Sequence, residues 1–271
     1  MKRILALNAG PASVRLRTND RAVAEFLERR YSEYLNDSDP GAMLDISVNS
    51  SLDFKNPTAF KIEADDSSLA ARSSAASLEW DFKARRGKLE VAPMHLYFPI
   101  ENTLRILFSR LELEAGATLV HAAAIIGKGF EKAALFPGRS GAGKSTLATE
   151  AAAAGAVALG DDLVVLVKSK NGWTVASTPF AGVDSPRPHN RNAPLGMIAF
   201  LGGRGGTELK PVRTTEAAAA LAACIPFPDA LRGRSGKTAL GLAAEAVKSV
   251  PVFRANRLKG EDPAPLWEAA R

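Results

Sequence analysis

FPGRSGAGKSTLATE, residues 136–150, places Gly138, Gly143, Lys144 and Ser145 in the spacing G-x-x-x-x-G-K-[ST], the signature of a phosphate-binding loop. Each residue type has a physical reason. Glycines let successive backbone N–H groups turn toward a phosphate, and the start of the following helix adds partial positive charge. Lys144 reaches β- and γ-phosphates, and Ser145 offers a hydroxyl to Mg²⁺. The flanks agree: AALFPG reads as a strand, and KSTLATEAAAAG reads as a helix with Gly155 past its end. Gly138, Arg139, Ser140, Gly141, Ala142, Gly143, Lys144, Ser145 and Thr146 are therefore the expected contacts of a nucleoside triphosphate.

A metal-bound triphosphate needs carboxylates, and the next strand, AVALGDD, ends in Asp161 and Asp162. In a parallel strand–helix–strand unit the loop and the end of the following strand both reach the carboxyl edge of the sheet, which puts the two aspartates beside the Mg²⁺. One carboxylate can hold the metal and the other can accept a proton from an attacking hydroxyl. Upstream, His121 stands in TLVHAAAII, expected to be an antiparallel neighbour of the loop strand. A lone histidine in an apolar strand is more often a satisfied core residue than a catalytic one.

The rest of the composition narrows the class. The 271 residues carry a formal net charge of +6 with lysine and arginine spread along the chain, so no basic helix interleaved with aromatics suggests nucleic acid. No run of about 18 apolar residues occurs, and the apolar run near the start is too short for a secretory signal. These features predict a cytoplasmic protein that binds neither nucleic acid nor membrane. The single cysteine, Cys224, excludes an intramolecular disulfide and reads as a small buried apolar residue.

The N-terminal region mixes α and β. A strand is expected at Val14–Arg17, then a helix capped by Asp20 in which Val23, Phe26, Leu27, Tyr31 and Tyr34 recur at helical spacing. NDSDPG at residues 36–41 ends it. LDISVNS, AFKIEA, LEWDFKA and KLEVAP read as short strands, and DDSSLAARSSAAS reads as a surface loop. A helix runs from Tyr97 to a stop at Gly116. LVVLVKSKNGWTVAST reads as a hairpin with Asn171-Gly172 at its tip. GMIAFL, a GGRGG turn, an alanine-rich helix from Thr214 and VPVFRAN complete the chain. The expected organisation is an α+β domain over residues 1–96 and a phosphate-loop domain over 97–271, with the boundary within 96–117.

Absences discriminate among phosphate-loop proteins. There is no N-K-x-D to read guanine, no L-S-G-G-Q, and no apolar run ending in Asp-Glu far downstream. LVHAAAII, LFPGRSGAGKSTLA and GAVALGDDLVVLV instead resemble the HPr serine kinase/phosphorylase group, with a more distant likeness to ATP-dependent phosphoenolpyruvate carboxykinases. The likeness covers residues 118–178 and is nearest to the HPr-kinase-related proteins of biosynthetic clusters. It implies an α/β fold with a mixed sheet of that kinase type, Lys144 on the β/γ-phosphates, Ser145 and Asp162 serving Mg²⁺, Asp161 as catalytic base, and His121 near the transferred phosphate. The two aspartates can exchange roles.

The chain departs from the typical HPr kinase at Thr146, where the family has an acidic residue, and carries no recognisable C-terminal signature segment. Both departures count against HPr as acceptor and against reverse phosphorolysis. The resemblance implies an ATP- and Mg²⁺-dependent kinase acting on a hydroxyl, with serine of a small protein or peptide precursor as the expected partner. It also leaves a homo-oligomer open. A nucleotide-binding regulatory module without transfer activity and a small-molecule kinase are the rival readings. PRPHNR, residues 186–191, is either a holder of an acidic substrate or a solvated loop.

Overall fold

Period-two alternation governs the N-terminal region. The computed structural model describes residues 3–181, 189–203, 206–257 and 260–270. One compact unit comprises Met1–Ala115 with Phe227–Lys237, and a second comprises Gly116–Pro226 with Thr238–Arg271.

The first unit is an eight-stranded mixed sheet of β1 (Arg3–Ala9), β2 (Ala12–Thr18), β3 (Leu35–Asn36), β4 (Met43–Val48), β5 (Lys61–Ala64), β6 (Ser68–Arg72), β7 (Ala76–Asp81) and β8 (Arg86–Val91). Its order is β3-β1-β2-β4-β8-β7-β6-β5. The β2–β4 and β4–β8 pairs are parallel. Val14 and Leu16, Leu44 and Ile46, Leu78 and Trp80, and Leu89 and Val91 are buried, while Arg15, Asp45, Glu79 and Lys88, on the opposite face, are partly or fully exposed. This is the alternation of a sheet covered on one side.

α1 (Arg21–Tyr31) starts where expected, because the Asp20 carboxylate accepts a hydrogen bond from the Val23 amide at 2.9 Å. α2 (Tyr97–Glu114) ends before Gly116, whose φ of 76° suits a residue without a side chain.

Two expectations are corrected here. DDSSLAARSSAAS contains β6 and the start of β7, with Leu69 and Ala71 buried. Serine and alanine alternate too weakly in polarity to announce a strand, and pairing with β7 supplies what the pattern lacks. The observed boundary, between Ala115 and Gly116, lies within the expected 96–117, and the second correction is that a later segment, Phe227–Lys237, joins the first unit. α2 and Phe227–Lys237 belong to the first unit, where the Arg110 guanidinium donates to the Asp65 and Ala230 carbonyls at 2.9 and 3.1 Å.

Glu112 of α2 is fully buried, and neither carboxyl oxygen has a hydrogen-bond partner of good geometry among the described residues. Burial pushes its carboxyl well above the ordinary 4.5, against a smaller opposite pull from the Ala12 amide. The folded state therefore holds a proton that the unfolded state releases above about pH 4.5, so stability falls as pH rises from there toward the folded value. Glu112→Met removes this dependence. Its melting-temperature gain should be larger at pH 8 than at pH 5; a gain that is equal at both, or that shrinks with pH, rejects the argument.

The second unit contains β9 (Ala117–Ile126), β10 (Ala133–Pro137), α3 (Lys144–Ala153), β11 (Val157–Gly160), β12 (Leu163–Ser169), β13 (Gly172–Ser177), β14 (Asn192–Gly203), β15 (Glu208–Pro211), α4 (Thr214–Ala222), β16 (Val252–Asn256) and α6 (Pro265–Glu268). α5 (Arg234–Ser249) enters it from Thr238 onward. The sheet is again mixed, in the order β10-β9-β12-β13-β14-β16-β15, with β11 on β9. β14 is long enough to pair antiparallel with β13 through Ala193 and parallel with β10 through Met197 and Ile198. Alanines at 123, 134, 151, 199, 255 and 270 let α3 and α6 approach the sheet around Phe136, Leu147, Met197 and Trp267.

The simple parallel strand–helix–strand arrangement is not what forms. β10 and β11 do not pair; both lie antiparallel to β9, one on each side of it. β11 and β12 follow one another along the same edge of β9, with Asp161 and Asp162 in the bend between them. The hairpin tip also falls one residue earlier than expected, since Ser169 pairs with Gly172 across Lys170 and Asn171. None of the described helices is long and apolar enough to cross a membrane.

Candidate functional site

The loop between β10 and α3 is shaped by its glycines. Gly141 and Gly143 have φ of 80° and 91°, the left-handed region that side chains disfavour. A Cβ on Gly138 would lie 3.0 Å from the Ala142 methyl, so that crossing of the loop needs the missing side chain. Gly143 precedes the first residue of α3 and no side chain caps the helix there. Its first amides are thus available to an anion rather than committed to a cap.

Lys144 opens α3 and is 8% exposed. Its ammonium donates to the Gly138 and Arg139 carbonyls at 2.9 and 3.0 Å, which fixes the charge inside the loop it stabilises.

His121 links the loop to the aspartates. Alternation along β9 puts it on the face of Ala123 and Ile125, which pack in the cluster that contains Leu147 of α3. Its carbonyl accepts from the Gly138 amide at 3.1 Å, and its own amide donates to the Cys224 carbonyl at 2.7 Å. On the other edge His121 pairs with Leu163, just after the aspartates. Its Nδ1 lies 3.3 Å from the Asp162 carbonyl oxygen and 3.4 Å from the Asp162 carboxylate. Both neighbours are acceptors, so this nitrogen carries the proton in the neutral ring.

A cleft of about 520 Å³ collects His121, Ser140, Gly141, Gly143, Lys144, Ser145, Thr146, Asp161 and Asp162. The side chains of His121 and Asp162 are 39% and 26% exposed, which suits groups that meet a ligand from solvent. Gly138, Arg139 and Ala142 do not line this cleft. Gly138 and Arg139 act through carbonyls on Lys144, and Ala142 borders a neighbouring cavity. Cys224 is buried, and burial pushes its thiol up, in keeping with a small apolar side chain that lends only its carbonyl to His121.

Of PRPHNR, Pro186, Arg187 and Pro188 lie outside the described residues. His189, Asn190 and Arg191 are exposed, and the Arg191 backbone is bound to Ser177 in both directions, through its amide and its carbonyl.

Among the described residues no group of three or more histidine, cysteine, aspartate or glutamate side chains forms a metal cage of its own. Ser145 and Asp162 line the same cleft, and each carries an oxygen of the kind that magnesium takes alongside phosphate oxygens and water. The residues present thus fit a magnesium triphosphate: hard oxygen ligands on one side, and a lysine with uncapped helix amides on the other.

Two features escaped the sequence reading. Arg257, just past β16, forms an ion pair with Glu150 of α3. The cavity beside Ala142 is bordered by Leu201, Ala255 and Arg257, residues far apart in the chain. Their only sequence signal was that two apolar strands end near them. No protein-family model matches the chain, and no curated protein matches it.

Proposed function

We propose that the second unit is a phosphate-loop kinase of the HPr kinase/phosphoenolpyruvate carboxykinase type. It transfers the γ-phosphoryl group of ATP to a hydroxyl, with serine of a small protein or peptide precursor as the acceptor and the cytoplasm as the setting. The observation that carries this reading is the cleft in which Lys144 and the loop face Asp161 and Asp162, with His121 hydrogen-bonded toward both sides.

In the reaction the acceptor oxygen forms a bond to the γ-phosphorus as the bond from that phosphorus to the β-bridging oxygen breaks, and ADP leaves. The acceptor proton passes to the Asp161 carboxylate. Lys144 and the loop amides offset charge on the β- and γ-phosphoryl oxygens, in a site built for position and electrostatics. Ser145 and Asp162 would hold Mg²⁺, which supplies charge neutralisation between those oxygens. His121 donates toward Asp162 and orients it, the usual relation of an outer partner to a ligating carboxylate. This division leaves Asp161 as the base.

The test is γ-labelled ATP added with the protein to a lysate of the source organism, with Asp161→Asn as control. Label on a polypeptide in the wild type alone supports the proposal. Label on a free metabolite rejects the peptide acceptor, and no label on any acceptor rejects kinase activity.

A further inference from the structure

The sheet of the first unit buries the face of Val14, Leu16, Leu44 and Leu89 and leaves the other face open. Strand register orders the open face. Pairing lines up Ile4, Arg17, Asp45, Lys88, Glu79 and Ala70 across β1, β2, β4, β8, β7 and β6. One pleat away, Ala6, Arg15, Met43, Arg86, Asp81 and Ser68 form a second row on the same strands. The first row alternates in sign, positive at Arg17 and Lys88 and negative at Asp45 and Glu79. Opposite charges on neighbouring strands stabilise a sheet by themselves, but that does not account for this face. Asp45 is taken by Arg17 and Glu79 by Arg72, while Arg86 and Lys88 have no ion-pair partner among the described residues. A hollow of about 600 Å³ lies over β8, β7 and β6, where Ser68, Ala70 and Gly87 carry short side chains or none.

We propose that this open face is the interface of a twofold dimer, and that its occupant is the same face of a second copy of the chain. The axis runs along the strands between β4 and β8, in the plane of the interface, so that two sheets stack in the aligned manner of a sandwich. Such an axis reverses each row against itself, and residues i and j meet reciprocally. In the first row Arg17 then faces Glu79 of the second copy, Asp45 faces its Lys88, and Ile4, 46% exposed, faces its Ala70. In the second row Arg15 faces Asp81 of the second copy, and Met43 lies against the methylene stem of its Arg86. No two like charges of these rows oppose each other. The hollow over β7 falls opposite β2 of the second copy, whose Arg15 and Arg17 are long enough to enter it. A polyanion would meet Asp45, Glu79 and Asp81, and a polycation would meet Arg86 and Lys88, so a surface with the reverse charge order fits best. This assembly does not depend on the kinase reading above.

The experiment is sedimentation equilibrium of the full chain at low salt and at about 1 M salt, where charges are screened within roughly 3 Å. The wild type should be a dimer at about 100 µM protein and low salt, the behaviour of a small polar interface, and a monomer at high salt. Lys88→Asp and Asp45→Lys each put like charges across the axis and should weaken association about a hundredfold. An equimolar mixture of the two variants should dimerise again, because in the mixed pair position 45 of each chain faces an opposite charge at position 88 of the other. Recovery in the mixture is the decisive sign, since charge pairs within one sheet cannot produce it. If either variant does not melt cooperatively, Arg15→Glu and Asp81→Arg, mixed in the same way, decide in its place. A wild type that stays monomeric at low salt overturns the dimer. So do single variants that associate as the wild type does, or folded monomeric variants whose mixture stays monomeric.

Discussion

Asp161→Asn is expected to lower phosphoryl transfer by about 10²–10⁴-fold, the usual contribution of a positioned general base, while leaving Mg-ATP affinity nearly unchanged. The amide keeps the size of the carboxylate but cannot take the acceptor proton. Lys144→Ala should behave differently. It removes a cation that the structure fixes against the Gly138 and Arg139 carbonyls at the head of α3. That loss weakens nucleotide binding and costs about 10²–10³-fold in turnover, as for a single donor that stabilises developing charge. The contrast is the measurement: single-turnover transfer and ATP titration for both variants. Full activity in Asp161→Asn rejects Asp161 as base.

The loop was readable because ligand chemistry dictates both its residue types and their local spacing; Gly138, Gly143, Lys144 and Ser145 need no distant information. The aspartate bend was found by chain order, yet its mode of delivery was not. β11 was expected as the parallel neighbour of β10, and β9 lies between them, so that His121 and not a shared strand edge connects loop and carboxylates. Nothing in a linear pattern distinguishes those two pairings, since both put Asp161 and Asp162 beside the loop.

β6 escaped because Ser68–Arg72 buries only a leucine and an alanine, too little contrast for a period-two signal. The Arg257–Glu150 pair escaped for a different reason: each residue is ordinary where it stands, and only the fold brings them together. Local chemistry was legible, and chemistry assembled across the sheet was not.

The largest expected loss of stability lies in the first unit, at Glu101. Its side chain is 2% exposed and receives two hydrogen bonds from Arg30, at 2.9 and 3.1 Å, one from the Tyr31 hydroxyl at 3.0 Å and one from Arg105 at 3.3 Å. Burial first, and then the negative charge of Glu101, push the Tyr31 phenol well above its ordinary value, so it remains a donor. These bonds join α1 to α2, and the arginines are themselves only 12% and 14% exposed. Glu101→Ala strips the carboxylate from two largely buried cations, for which the expected cost is about 3–5 kcal/mol. Glu101→Gln keeps the shape and should lose less. Combining Glu101→Leu with Arg30→Met should recover part of the loss, because it removes one of the two cations that the carboxylate served and fills the space with apolar volume. Urea denaturation with hydrogen exchange of the α1 and α2 amides measures all three. A Glu101→Ala protein within about 1 kcal/mol of wild type, the range of an exposed ion pair, would show that this network does not hold the two helices together.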